Sequence, residues 1–182
     1  MSIEIEKQVA ELQQQLSSLQ NQQAKDQISI IVFSGDLDKL LASMIIATGA
    51  RAMDTEVKMF FTFWGTAALR DAKKKAKGKD FMSKMFGFML PKGTTKLKLS
   101  KMNMCGMGTA MLKDLIKKKG SNSLEELMAI AAELGVQINI CQMSMDLMGF
   151  KKEEMIDYPC LNYCGVATYL SDAGESRVQL FI

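Results

Sequence analysis

The 182 residues contain no histidine. That absence removes Ser-His-Asp and Cys-His catalysis, histidine-ligated zinc and the two-histidine-one-carboxylate iron site. Any chemistry must then run on Cys, Lys, Asp, Glu, Tyr or backbone donors. No uninterrupted apolar run approaches the roughly 18–20 residues that a membrane span requires. The opening residues SIEIEKQVAE are polar and acidic, unlike the cationic-then-apolar pattern of a secretory leader. Neither a GxGxxG nor a Walker A pattern occurs, nor a C-x-x-C knuckle. Four cysteines in a chain of this length argue against a disulfide framework and for a reducing compartment, so a cytoplasmic location is expected. No cofactor, resident metal or nucleic-acid partner is expected.

Hydrophobic residues make up 48% of the chain, enough to bury the core of one ordinary domain. The net charge of +3 is unevenly placed: residues 73–119 hold fourteen lysines against Asp80 and Asp114, a local +12 that leaves −9 for the rest. Such asymmetry suits an acidic partner or ligand. The triplets Lys73, Lys74, Lys75 and Lys117, Lys118, Lys119 also fit a plainer role, decorating helix C-termini.

The stretch that organises the rest is VQINICQMSMDLMG, residues 136–149. Val136, Ile138 and Ile140 after Gly135 read as a buried strand. Gln142 to Met148 reads as a short helix stopped by Gly149 at its C′ position. Cys141 sits on the joint. In an open α/β sheet that joint is where ligands bind, and the unpaired N–H groups of a helix start favour negative charge and lower a thiol's pKa. A small buried hydrophobe at a strand end is the competing reading of Cys141.

The phrase INICQMSMDLMG resembles the cysteine-bearing segment of the DsrE/DsrF-like sulfurtransferase family. Residues 30–53 (IIVFSGDLDKLLASMIIATGARAM) and 57–70 (VKMFFTFWGTAALR) resemble its larger DsrE-like branch. The likeness runs from about residue 28 to residue 182. It implies that Cys141 accepts sulfane sulfur as a persulfide and passes it on, with a rhodanese-like donor and a TusA-like carrier as partners and a homo-oligomeric assembly.

Taken in order, Ile5, Val9, Leu12, Leu16 and Leu19 step as a heptad seam in an N-terminal arm, residues 1–27, whose last seven residues form a linker. The α/β domain is expected over 28–182. Strands are expected at 28–33, 57–63, 95–99, 136–140 and 177–182. Asp36 is expected to cap a helix packing through Leu37, Leu40, Leu41, Met44 and Ile45. Thr66 is expected to cap another running to Lys77. Trp64, at the second strand's carboxyl end, is a candidate site residue. Residues 78–104 form a Met- and Lys-rich insertion, in which Met82, Met85, Phe86 and Met89 keep helical spacing; a lid or docking surface and a core-covering excursion both fit. Cys105 falls between the expected third strand and a helix over 107–118. It is therefore expected on Cys141's rim, as a second sulfur acceptor or resolving thiol, and Gly106 would let a backbone approach closely. Ser123 and Glu126 make a capping box. Cys160 and Cys164 are read as one face of a last helix over 160–171; with Cys105 and Cys141 they leave a four-thiolate metal site open in principle.

These elements amount to a flavodoxin-like layered α/β fold, a mostly parallel five-stranded sheet flanked by helices, with a helical arm. The leading functional reading is a sulfur-trafficking protein. Cys141 accepts, Cys105 assists, and the groups at Gln142, Met143 and Ser144 stabilise the thiolate. The second reading is a non-catalytic binding module of the same fold. A third is a nucleotide or flavin binder.

Overall fold

The computed structural model describes residues 8–9, 11–15, 24–74, 76, 78 and 80–182. Ile5, Leu16 and Leu19 of the heptad arm, and the first three linker residues, lie outside them. Among the described arm residues, 8–9 and 11–15 are helical, with Val9 and Leu12 exposed.

Apolar and β-branched runs make the strands: β1 (Lys25–Val32), β2 (Glu56–Phe61), β3 (Gln137–Cys141), β4 (Leu161–Cys164) and β5 (Ser176–Phe181). They pair in the order β4-β3-β2-β1-β5, every neighbour parallel. From β1 to β4 the chain steps one way across the sheet, then returns past β1 to β5. Right-handed crossovers therefore send the helices between the first four strands to one face and the last helix to the other.

The first face is hydrocarbon. Ile30, Val32, Val57, Met59, Phe61, Ile138 and Ile140 are buried there against α1 (Leu37–Ala52) and, further along, α5 (Leu124–Glu133). Their buried stripes are Leu37, Leu40, Met44 and Ala47, and Leu124, Leu127 and Ala131. The Ser123–Glu126 capping box opens α5 as the sequence leads one to expect.

The second face is polar. Strand alternation puts Gln27, Ser29, Lys58, Phe60, Asn139, Cys141, Asn162 and Cys164 on it. It is covered by α7 (Val166–Glu175). Lys58 donates to Asp172 at 2.7 Å, and the Phe60 and Tyr169 rings lie 5.4 Å apart. The Gln27 side chain donates to the Ser176 hydroxyl at 2.7 Å and to the Asp172 carbonyl at 2.9 Å. Phe60, Cys141 and Ala173 are buried apolar residues outside the main hydrocarbon cluster.

Five expectations need correction. Residues 95–99 are not a strand: after a 3-10 turn at Thr94–Lys96 the chain crosses the start of α1, where the Leu37 amide donates to the Lys98 carbonyl. Leu97 is buried there, so the apolar/basic alternation is real, but among the described residues no neighbouring strand completes a ladder. The fifth strand is β4, read from sequence as helix; helix begins only at Val166, after Gly165. Cys160 and Cys164 are therefore not helical neighbours. Helix α2 (Phe63–Ala68) is capped by Thr62, not Thr66, and stops short of Lys77. Ile45 is 57% exposed, outside the packed stripe. Lastly, β1 begins at Lys25, inside the expected linker, because Gln27 and Lys25 find partners on β2 and β5.

The insertion contains α3 (Phe81–Met89), with the expected period but no buried residue. Lys117 and Lys118 do end a helix, α4 (Met107–Lys118). Lys73 and Lys74 do not; the Lys74 ammonium donates to the Asp157 carboxylate at 2.6 Å.

Candidate thiol site at the carboxyl rim

Cys141 ends β3 and is the N-cap of α6 (Gln142–Met148), with φ −67° and ψ 112°. Gly149 closes that helix at φ +64°, and a Cβ there would collide with Ser83 of α3. Glycine is needed both for the turn and for the approach of α3. The joint is as the sequence implies. The Cys141 side chain, however, is only 3% exposed.

Three groups fix the joint. The Ser144 hydroxyl is fully buried, 2.8 Å from the Thr62 hydroxyl, and accepts the Phe63 amide at 3.0 Å. Phe63 is left-handed at φ +44°. Ser144 thus satisfies the N–H at a strained turn between β2 and α2, and acts as a tie between rim loops. Gln142 and Met143 are exposed on the first turn of α6. Trp64 is 45% exposed and lines a cleft of roughly 630 Å³ with Ser34, Asp36, Phe88, Lys96 and Lys98. Neither Cys141 nor Cys105 is among the cleft's lining residues.

Cys105 is exposed. No strand precedes it; it lies in a short 3-10 turn, Met104–Gly106, before α4. Its loop nevertheless reaches the carboxyl rim. Asp38, in the first turn of α1, accepts the Ser100 amide at 2.8 Å and the Ser100 hydroxyl at 2.5 Å. Partial burial raises the Asp38 carboxyl, but the Ser100 hydrogen bonds prevail and hold it below its ordinary value. Met102, Met104 and Cys105 all have positive φ, at +56°, +43° and +56°, and Gly106 follows at +97°. Each such non-glycine residue costs about 1–2 kcal/mol. Thr109 braces the turn, donating to Asn103 Oδ1 at 2.8 Å and accepting the Leu99 amide at 3.2 Å.

Two features escape the sequence. Cys164 ends β4 directly beside Cys141, as its register partner. Burial pushes the Cys164 thiol up, a hydrogen bond from Thr168 pulls it back, and nearby charge on Asp172 and Cys141 raises it again. Arg70, almost wholly buried, stacks on the Phe150 ring with 4.5 Å to its centroid and donates to the carbonyls of Gly87 at 3.3 Å and Pro91 at 3.5 Å. Glu154 lies 4.0 Å away. Burial lowers the Arg70 guanidinium and Glu154 opposes that. Arg70 thereby pins α3 and the segment after it over the rim. Its place as the one arginine in the largely apolar VKMFFTFWGTAALR was the available signal. Among the described residues, no three of Cys, Asp or Glu gather closely enough to hold a metal ion.

An all-parallel five-stranded α/β sheet, with cysteines at and near the carboxyl ends of its strands, defines the class. Within it, the sequence model of the DsrE/DsrF/DrsH-like family matches residues 24–181; the chain belongs to that family. It is 48% identical over 154 residues to the YrkE protein of Bacillus subtilis, covering 85% of this chain and 95% of that one. It is 38% identical over 159 residues to the sulfur carrier protein DsrE2 of Allochromatium vinosum, covering 85% and 97%. The solved structure of the ychN protein from E. coli superposes with a TM-score of 0.51 at 11% identity, covering 88% of this chain and all of that one, a likeness of fold alone. No described helix is long and apolar enough to cross a membrane.

Proposed function

We propose that this protein carries sulfane sulfur: Cys141 accepts it as a persulfide and yields it to an acceptor thiol, with Cys105 as the exposed assisting thiol. The observation that carries this reading is the near full-length similarity to a sulfur carrier, DsrE2. The chemistry suits a chain without histidine. A thiolate attacks the outer sulfur of a donor persulfide, one S–S bond forms as another breaks, and the donor leaves as a thiolate without a proton shuttle. The helix start after Cys141 favours the anion on either side of that exchange, and burial shields a stored persulfide from water and oxidants.

A rhodanese-like donor and a TusA-like carrier are the partners the family resemblance favours. Exposed Met143, Trp64 and the backbone at Gly106 offer them contacts, and the lysine-rich segment attracts an acidic carrier. Incubation with a sulfane donor followed by peptide mapping by mass tests the assignment: the parent's Cys141 peptide should gain about 32 Da per sulfur, and the corresponding peptide of Cys141→Ser should gain none. A parent whose Cys141 peptide gains no sulfur would sink the role of Cys141.

One observation favours a second reading, a non-catalytic binding module. Phe81, Phe88 and Met89 of α3 are exposed, Phe88 at 91%, and Met107 and Met111 of α4 are exposed as well. Large exposed apolar side chains mark interaction surfaces. Alkylation rates across pH separate the readings: thiols that all titrate near ~8.5 favour the module.

A further inference from the structure

Cys141 is nearly sealed, so a protein-borne persulfide cannot reach its sulfur without a route. Cys164 supplies one. The two are register partners at the ends of adjacent parallel strands. Alternation puts both side chains on the polar face under α7, where neighbouring Cα atoms stand about 5 Å apart. That separation lies inside the range over which two cysteines can bond, about 4.4–6.8 Å. Cys164 is half-buried where Cys141 is buried. Asn162, two residues earlier on the same face of β4, is exposed, so this edge of the sheet opens to solvent at β4.

We propose that Cys164 is the port thiol of the site, receiving sulfane sulfur at the open edge of the sheet and exchanging it with the buried Cys141. This rests on the sulfur-carrier reading above and extends it by naming a route. In the first step the Cys164 thiolate attacks the outer sulfur of a donor persulfide; that S–S bond breaks, the donor leaves as a thiolate, and Cys164 holds the persulfide. In the second the Cys141 thiolate attacks the outer sulfur on Cys164, and Cys164 leaves as a thiolate. Each step forms one S–S bond and breaks one, the entering thiol gives up a proton that the leaving thiolate regains, and no external oxidant is consumed. Unloading is the reverse.

The test uses glutathione persulfide as donor, rapid alkylation, and peptide mapping of the full chain. The parent should show sulfur on the Cys164 peptide first and on the Cys141 peptide later. Cys164→Ser should slow arrival at Cys141 at least tenfold. Cys141→Ser should leave sulfur stranded on Cys164. Cys160→Ser, at the opposite end of β4, should load at the parent's rate, and an unchanged melting curve for Cys164→Ser would show that β4 still pairs. Diamide should separately close a Cys141–Cys164 disulfide in the parent. Loading of Cys141 at the parent's rate in Cys164→Ser, equal slowing in Cys160→Ser, or no diamide bridge would each overturn the port while leaving the carrier reading standing. No sulfur on either peptide of the parent, with a diamide bridge still forming, would instead remove the carrier reading.

Discussion

The two thiol regions of this protein are built on opposite principles. Cys141 and Cys164 sit at the ends of paired strands, one nearly sealed on β3, which is paired on both sides, and the other half-buried on β4, which is paired on one. Cys105 sits on an exposed turn made largely of left-handed residues, held to the rim by Asp38, Asn103 and Thr109. A thiol that stores a reactive sulfur gains from the first arrangement, and a thiol that meets another protein gains from the second. The difference teaches that position on the rim and access to it are separate properties, set by different parts of the chain.

The comparison breaks most readily in the core under the Cys141 strand. Ile138→Ala removes a wholly buried side chain from β3 and should cost about 2–5 kcal/mol in denaturant unfolding; a loss below about 1 kcal/mol would mean that β3 is not the packed element described. Native-state alkylation sharpens the contrast next. Iodoacetamide should modify Cys105 roughly a hundredfold faster than Cys141, since Cys141 needs a local opening of about 3 kcal/mol; equal rates would erase the distinction. Ser144→Ala leaves the Phe63 amide without its partner and should destabilise by about 1–3 kcal/mol, read from the shift in chemical midpoint. Met104→Gly should be neutral or stabilising by up to about 1 kcal/mol, because relief of a positive φ outweighs or offsets the added entropy of the unfolded chain. A clear loss would show that the turn is not strained.

The smallest effect expected is with pH. The Asp38 carboxyl is held low in the fold by Ser100 although partial burial opposes it. Its folded pKa lies below the unfolded one, so its contribution is present above the unfolded value, near ~3.9, and fades as pH falls through the folded value. Protection of the Ser100 amide, taken relative to its intrinsic exchange rate, should fall below about pH 4 in the parent and be lower and independent of acid in Asp38→Asn; parent protection indifferent to acid would mean the loop is anchored elsewhere.

Much of this architecture was legible because local pattern and tertiary need agree. Ile28, Ile30 and Val32 alternate on one face, Leu37, Leu40 and Met44 keep helical spacing, and Ser123 with Glu126 closes a capping box. The Cys141 joint with Gly149 was equally plain. Where pattern and partner part company, reading fails. Residues 95–99 alternate like a strand but meet no strand edge among the described residues. Leu161, Asn162, Tyr163 and Cys164 have no strong period, yet β3 offers them one.

Taken alone, the amino-acid sequence determined the chemistry available, thiols without histidine, the strand-to-helix joint at Cys141, and the lysine-rich middle. Those are properties of residue type and near neighbours. Only the tertiary structure decided that Cys141 is sealed, that Cys105 is open, and that Cys164 stands beside Cys141 across a strand pair. The physical reason is that burial and register arise from contacts between segments far apart in the chain, and no local period encodes which edge a short strand will join.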